Sequence, residues 1–64
     1  MKNKLREIRK EAGLTQQELS KVSGICRTTL SFIENGKEMN LSLKTLTAIS
    51  KAVGKPIDEI FLLN

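Results

Sequence analysis

Sixty-four residues with a formal charge of +4, no histidine and a single cysteine leave room for one small core and exclude several kinds of chemistry. A structural zinc site needs about four Cys or His ligands, Cys26 has no internal disulfide partner, which fits a reducing, cytoplasmic setting, and no run approaches the ~20 apolar residues of a membrane span. Residues 1–37 hold eight Lys or Arg against four Glu, whereas residues 38–64 hold three basic against three acidic residues, so the excess lies in the first part and points to a polyanion, most commonly nucleic acid.

The N-terminus is charged from Lys2 onward and carries no apolar export region. The first helix is expected from about Asn3 to Ala12, with Leu5, Ile8 and Ala12 as a narrow apolar stripe of helical period and Gly13 as its stop. Thr15 followed by Glu18 is a capping box for the second helix, and Leu14 before it can pack on Leu19 as a hydrophobic staple. Leu19 and Val22 are expected to face inward. Gly24 suits the turn that follows, Ile25 plugs it, and Cys26 starts the next helix.

The third helix should span about Arg27 to Asn35, with Leu30 and Ile33 as its inward seam. Arg27, Thr28, Ser31 and Phe32 are left on the outer face, and Asn35-Gly36 ends the helix. A loop from Lys37 to Leu41 leads to Ser42, the expected cap of a fourth helix reaching about Val53, whose core stripe is Leu43, Leu46, Ile49 and Val53. Gly54 ends it. Pro56 can open a short fifth helix with Ile57, Ile60 and Phe61 on one face and Asp58 and Glu59 near its positive end.

In order and spacing these landmarks resemble the phage-repressor-like helix-turn-helix regulators, the Cro type or xenobiotic-response-element type. The likeness runs from Leu5-x-x-Ile8-Arg9 through Gly13-Leu14-Thr15-Gln16, Glu18-Leu19 and Gly24-Ile25. It continues through Leu30, Ile33-Glu34-Asn35-Gly36-Lys37, Ser42-Leu43 and Leu46 to Asp58-Glu59-Ile60-Phe61. It implies an all-α, five-helix, lambda-repressor-like domain covering residues 1–64, with the helix-turn-helix at about 16–35. The third helix then enters the major groove and the second lies across it.

The resemblance also assigns roles. Arg27, Thr28 and Phe32 stand at base-reading positions: Arg suits guanine O6 and N7, and Thr or Phe a thymine methyl. Arg27 could instead meet a phosphate. Phe32 departs from the polar or basic residue usual there, and a half-packed aromatic is an equal reading. Gln16, Thr29, Ser31, Asn35, Lys37 and Ser42 form the phosphate-contacting group, although Gln16 could be merely solvated, Asn35 could serve as the helix terminator, and Ser42 caps a helix as well. Arg9 and Glu34 match positions that form a partly buried ion pair. Cys26 replaces the usual Ser or Thr cap, and a tolerated small residue is favoured there over a redox-sensitive thiol.

The function so implied is sequence-specific binding of double-stranded DNA by a small transcriptional repressor, as a homodimer on a palindromic operator. The chain leaves no room for a separate oligomerisation domain, which makes Phe61, Leu62 and Leu63 the dimer candidates. The alternative is a protein-interaction module, such as an antitoxin or an accessory subunit of a partner protein. Catalysis is the poorest reading, because no nucleophile–base pair can be assembled. No cofactor or metal is expected.

Overall fold

Each helix begins and ends where local chemistry supplies the backbone partners that a helix end lacks. In the computed structural model, which describes residues 3–37 and 41–61, the order is α1 (Leu5–Glu11), α2 (Gln16–Ser23), α3 (Arg27–Glu34), α4 (Leu43–Val53) and α5 (Ile57–Ile60). No strand occurs among the described residues, only an isolated antiparallel bridge between Asn3 and Phe61. Among the described residues the fold is all-α with five helices.

The capping box forms at α2. Glu18 N donates to Thr15 Oγ1 at 3.0 Å and Thr15 N donates to Glu18 Oε1 at 2.9 Å, and the latter bond holds the Glu18 carboxyl below its ordinary pKa. Ser42 caps α4 by accepting from Thr45 N at 3.2 Å. Gly24 closes α2 at φ 75°, a left-handed conformation that a side chain would strain. Its N–H returns to the Ser20 carbonyl at 2.9 Å, and the next N–H, of Ile25, donates to Ser23 Oγ at 3.1 Å.

Leu5, Leu19, Leu30, Ile33, Ile49, Ile60 and Phe61 are completely or almost completely buried, and Ile8 joins them. Leu14, Ile25, Leu46, Val53 and Ile57 pack against this core from its edge. α2 packs against both α3 and α4, α1 against α3, and α5 against α4. The two ends of the described chain are tied together, Lys4 N donating to the Ile60 carbonyl at 2.7 Å, while Asn3 Nδ2 donates to the Ile33 carbonyl of α3 at 2.7 Å.

Four expectations about burial are corrected. Val22 is 62% exposed and Leu43 73% exposed. At about 100° per residue, Leu43 lies about 120° round the helix from Ile49, too far to share its face. Val22 is about 60° from Leu19 and sits on the last turn, where α2 is leaving the core. Ala12 is exposed as the residue that closes α1. Phe61, a dimer candidate from sequence, is 0% exposed, because the bridge to Asn3 draws it under α1. Its ring closes this chain's own core and is unavailable to a partner. The other two dimer candidates, Leu62 and Leu63, lie outside the described residues.

Candidate nucleic-acid interface

Leu30 and Ile33 fix the rotation of α3, being 0% and 1% exposed. With that seam inward, Arg27, Thr28 and Phe32 are exposed, and Thr29 and Ser31 are half-buried beside them. Phe32 is 48% exposed, so part of its ring packs while an edge reaches solvent. Eight residues at about 1.5 Å each give α3 a length near 12 Å, comparable to the width of the DNA major groove. Arg27 stands at one end of this surface, and Lys37, also exposed, just beyond the other.

The one carboxylate on α3 is turned away from that face. Glu34 lies four residues after Leu30 and shares its inward side. Arg9 Nε donates to Glu34 Oε2 at 2.7 Å and Arg9 Nη2 to Oε1 at 3.2 Å. Oε1 also accepts from Gln16 Nε2 at 3.3 Å and from Arg6 Nε at 3.4 Å. The Glu34 side chain is 0% exposed and that of Arg9 11%. Burial pushes the Glu34 carboxyl up, but the donors on Arg9 and Gln16, the charge of Arg9 and the bond from Arg6 together outweigh it and hold the pKa below the ordinary carboxylate value. Arg9 Nη1 meanwhile donates to the Leu14 carbonyl at 2.8 Å, so one guanidinium fixes α1 to both the entry of α2 and the end of α3.

The residues expected from sequence to meet phosphate fall into different surroundings. Gln16, at the first position of α2, uses one amide N–H on Glu34, which aims the side chain and leaves its second N–H available. Asn35 is tied into the protein at both ends: Nδ2 donates to the Ser31 carbonyl at 2.8 Å, and Oδ1 accepts from Arg6 Nη2 at 3.0 Å. That is the terminator's role. Ser42 is exposed and spends its hydroxyl oxygen on the α4 cap, pairing also with Thr45 Oγ1 at 3.0 Å. Lys37 is exposed.

Cys26 occupies the cap position of α3 without completing a side-chain cap hydrogen bond. The backbone N–H groups of Thr28 and Thr29, then the Thr28 hydroxyl and the Arg27 charge, still favour the thiolate, so the thiol pKa lies below its ordinary value. Arg6 joins the network unforeseen: its side chain is 46% exposed and bridges Glu34 and Asn35. Its position one turn before Arg9 is the signal that would have found it. Among the described residues no cluster of His, Cys, Asp and Glu could hold a metal ion, and no helix is long and apolar enough to cross a membrane.

Comparison with known proteins places this geometry. A helix-turn-helix family model matches residues 5–60. An uncharacterized HTH-type transcriptional regulator of Methanocaldococcus jannaschii is 44% identical over 62 residues, covering 97% of this chain and 92% of its own. Another from Archaeoglobus fulgidus is 36% identical over 64 residues, covering 100% and 90%. The crystal structure of the restriction-modification controller protein C.AhdI from Aeromonas hydrophila superposes with a TM-score of 0.80 at 33% identity, over 89% of this chain and 85% of that one.

Proposed function

The chain belongs to the helix-turn-helix family, and we propose that it acts as a repressor within that family's DNA-binding regulation of transcription, gripping a palindromic operator as a homodimer. α3 lies in the major groove. Arg27 reads a guanine edge, Thr28 and the exposed edge of Phe32 meet thymine methyls, and Lys37, Thr29, Ser31 and Ser42 hold the backbone. Gln16 presents its remaining N–H to a phosphate beside the α2 N-terminus, where backbone N–H groups already favour an anion. The whole chain, residues 1–64, serves as one DNA-binding domain.

The observation that carries this reading is the arrangement of charge on α3. Its only acid is folded inward onto Arg9, while Arg27 stands outward. The exposed face therefore sets no carboxylate against phosphate. A module built chiefly to bind protein would expose apolar groups where Arg27, Thr28 and Lys37 stand, and on that face only Phe32 is apolar. Among the described residues no nucleophile is paired with a base, which favours a binding role over catalysis. Leu62 and Leu63 stay as proposed contributors to the dimer.

Selection of bound sequences from a random duplex pool, repeated at several salt concentrations, tests the reading. A palindromic consensus is expected, with half-sites about 34–36 Å apart and affinity falling steeply with salt. Recovery of no consensus even at low salt would overturn it.

A further inference from the structure

We propose that the groove between α2 and α4 is a docking site for an acidic amphipathic helix of a partner protein. Three large apolar side chains are exposed among the described residues: Phe32, on the outward face of α3, and Val22 and Leu43. The latter two line one open groove of about 640 Å³, together with Ser23, Thr47 and Ala48. Leu43, Thr47 and Ala48 fall at i, i+4 and i+5 on the side of α4 turned away from Ile49. Val22 faces them from the last turn of α2. The small side chains between allow a second backbone to come close, and the two large ones offer holes for apolar anchors spaced i, i+3 or i+4, i+7. A small molecule in so open a groove would be left half in water, whereas preformed ligand sites enclose most of their ligand.

Charge selects the occupant. Lys44 and Lys51 line the same groove, and α4 carries no Asp or Glu at all. On α2 the sole acid, Glu18, is committed to the cap at the far end from Val22. The lip is therefore basic without a compensating acid among the lining residues. A second copy of this chain would set lysines against lysines, which disfavours self-pairing here. A DNA backbone would answer the lysines but leave the walls of Val22, Leu43 and Ala48 against hydrated phosphate with nothing gained. A helix with leucines on one face and glutamates on its flanks satisfies both features.

The full chain, isotopically labelled, is titrated with a synthetic amphipathic helix carrying Leu at anchor spacing and Glu elsewhere, and with its Glu→Lys analogue. Binding is expected for the acidic peptide only, with NMR shifts centred on Val22, Leu43 and Ala48. The variant L43S should weaken it at least tenfold, and K44E/K51E should reverse the preference toward the basic peptide. Operator affinity and sedimentation mass are expected to stay unchanged in L43S. The proposal is overturned if the wild-type chain binds neither peptide, if both bind alike, or if the charge reversal leaves the preference as it was. It is equally overturned if L43S lowers operator affinity or breaks a dimer, since the face would then belong to DNA or to a second copy. Should a variant fail to fold, the wild-type titration with the two peptides decides the matter alone. Failure here would leave the DNA-reading face untouched, because none of the groove residues belongs to it.

Discussion

Breaking the Arg9–Glu34 pair from one side should cost far more than removing both partners. In Arg9→Met, Glu34 keeps only Gln16 Nε2 at 3.3 Å and Arg6 Nε at 3.4 Å, both longer than the ~2.9 Å of a good N–H···O bond. Stranding one partner of a buried pair costs about 3–5 kcal/mol, and the residual donors place this case near the lower figure. The Leu14 carbonyl also loses its 2.8 Å donor, worth about 0.5–1.5 kcal/mol. Glu34→Leu leaves Arg9 with Leu14 alone and should cost about 3 kcal/mol by the same reasoning. The double variant restores an apolar contact and should lose only about 0–2 kcal/mol, giving a coupling energy of about 4.5–7.5 kcal/mol. Because a core of this size supplies only about 3–5 kcal/mol in all, the single variants will be partly unfolded at 25 °C. Urea titrations by circular dichroism therefore need sulfate in the buffer to raise the baseline for all four proteins. A coupling energy below about 0.5 kcal/mol would show the sites to be independent and would refute the buried-pair reasoning.

The depressed pKa of Glu34 fixes an acid-side dependence: its contribution to stability is complete above the unfolded Glu pKa of about 4.3 and is lost as pH falls through the lower folded value. Urea midpoints between pH 7 and pH 2.5 should show this arm flattened in Glu34→Gln, and an unchanged arm would contradict it. Operator titrations should show Arg27→Ala losing about 1–3 kcal/mol with relaxed choice at one base position, while Lys37→Ala weakens all sequences alike and lowers the salt slope by about one. Thermal melts should separate apolar residues by burial, with Leu19→Ala costing about 2–5 kcal/mol and Leu43→Ser staying within about 0.5 kcal/mol of wild type. Cys26→Ser should raise the melting temperature, since a serine hydroxyl accepts from the N–H groups that the thiol leaves unbonded, a gain of about 0.5–1 kcal/mol on the usual cap scale; no rise would mean that α3 does not depend on its cap.

Helix positions were legible because their signals are local. Thr15 with Glu18, Ser42 with the turn it caps, and Gly24 with the Ser20 carbonyl each act within five residues, and the boundaries follow them. Burial was less legible, because periodicity gives the direction of a side chain and not what stands opposite. Leu43 has the spacing of a core residue and faces a groove instead. Phe61 looked like spare apolar surface at a chain end, and only the pairing of Asn3 with Phe61, fifty-odd residues apart, shows that it closes the core. The DNA-facing roles came from the resemblance, which names positions but not their internal partners. That Asn35 is consumed by Ser31 and Arg6, and Gln16 aimed by Glu34, depends on helices brought together by the fold.

The position of Glu34 joins stability to recognition in one set of bonds. An acid facing outward from α3 would oppose every nearby phosphate, yet four residues after Leu30 it points to Arg9, where its charge is answered inside the protein. The same carboxylate orients Gln16 at the start of α2, so the spacing between the proposed phosphate-holding end of α2 and the proposed reading face of α3 is set by the bonds that hold α1 in place. Changes at Arg9 or Glu34, and acidification, should therefore shift folding and operator affinity together. Arg27, exposed at the start of α3, should shift affinity alone. Plotting operator affinity against unfolding free energy for both groups of variants separates the two behaviours. Arg9 and Glu34 variants falling on the same vertical line as Arg27→Ala, with stability unmoved, would show that the network does not position the helices.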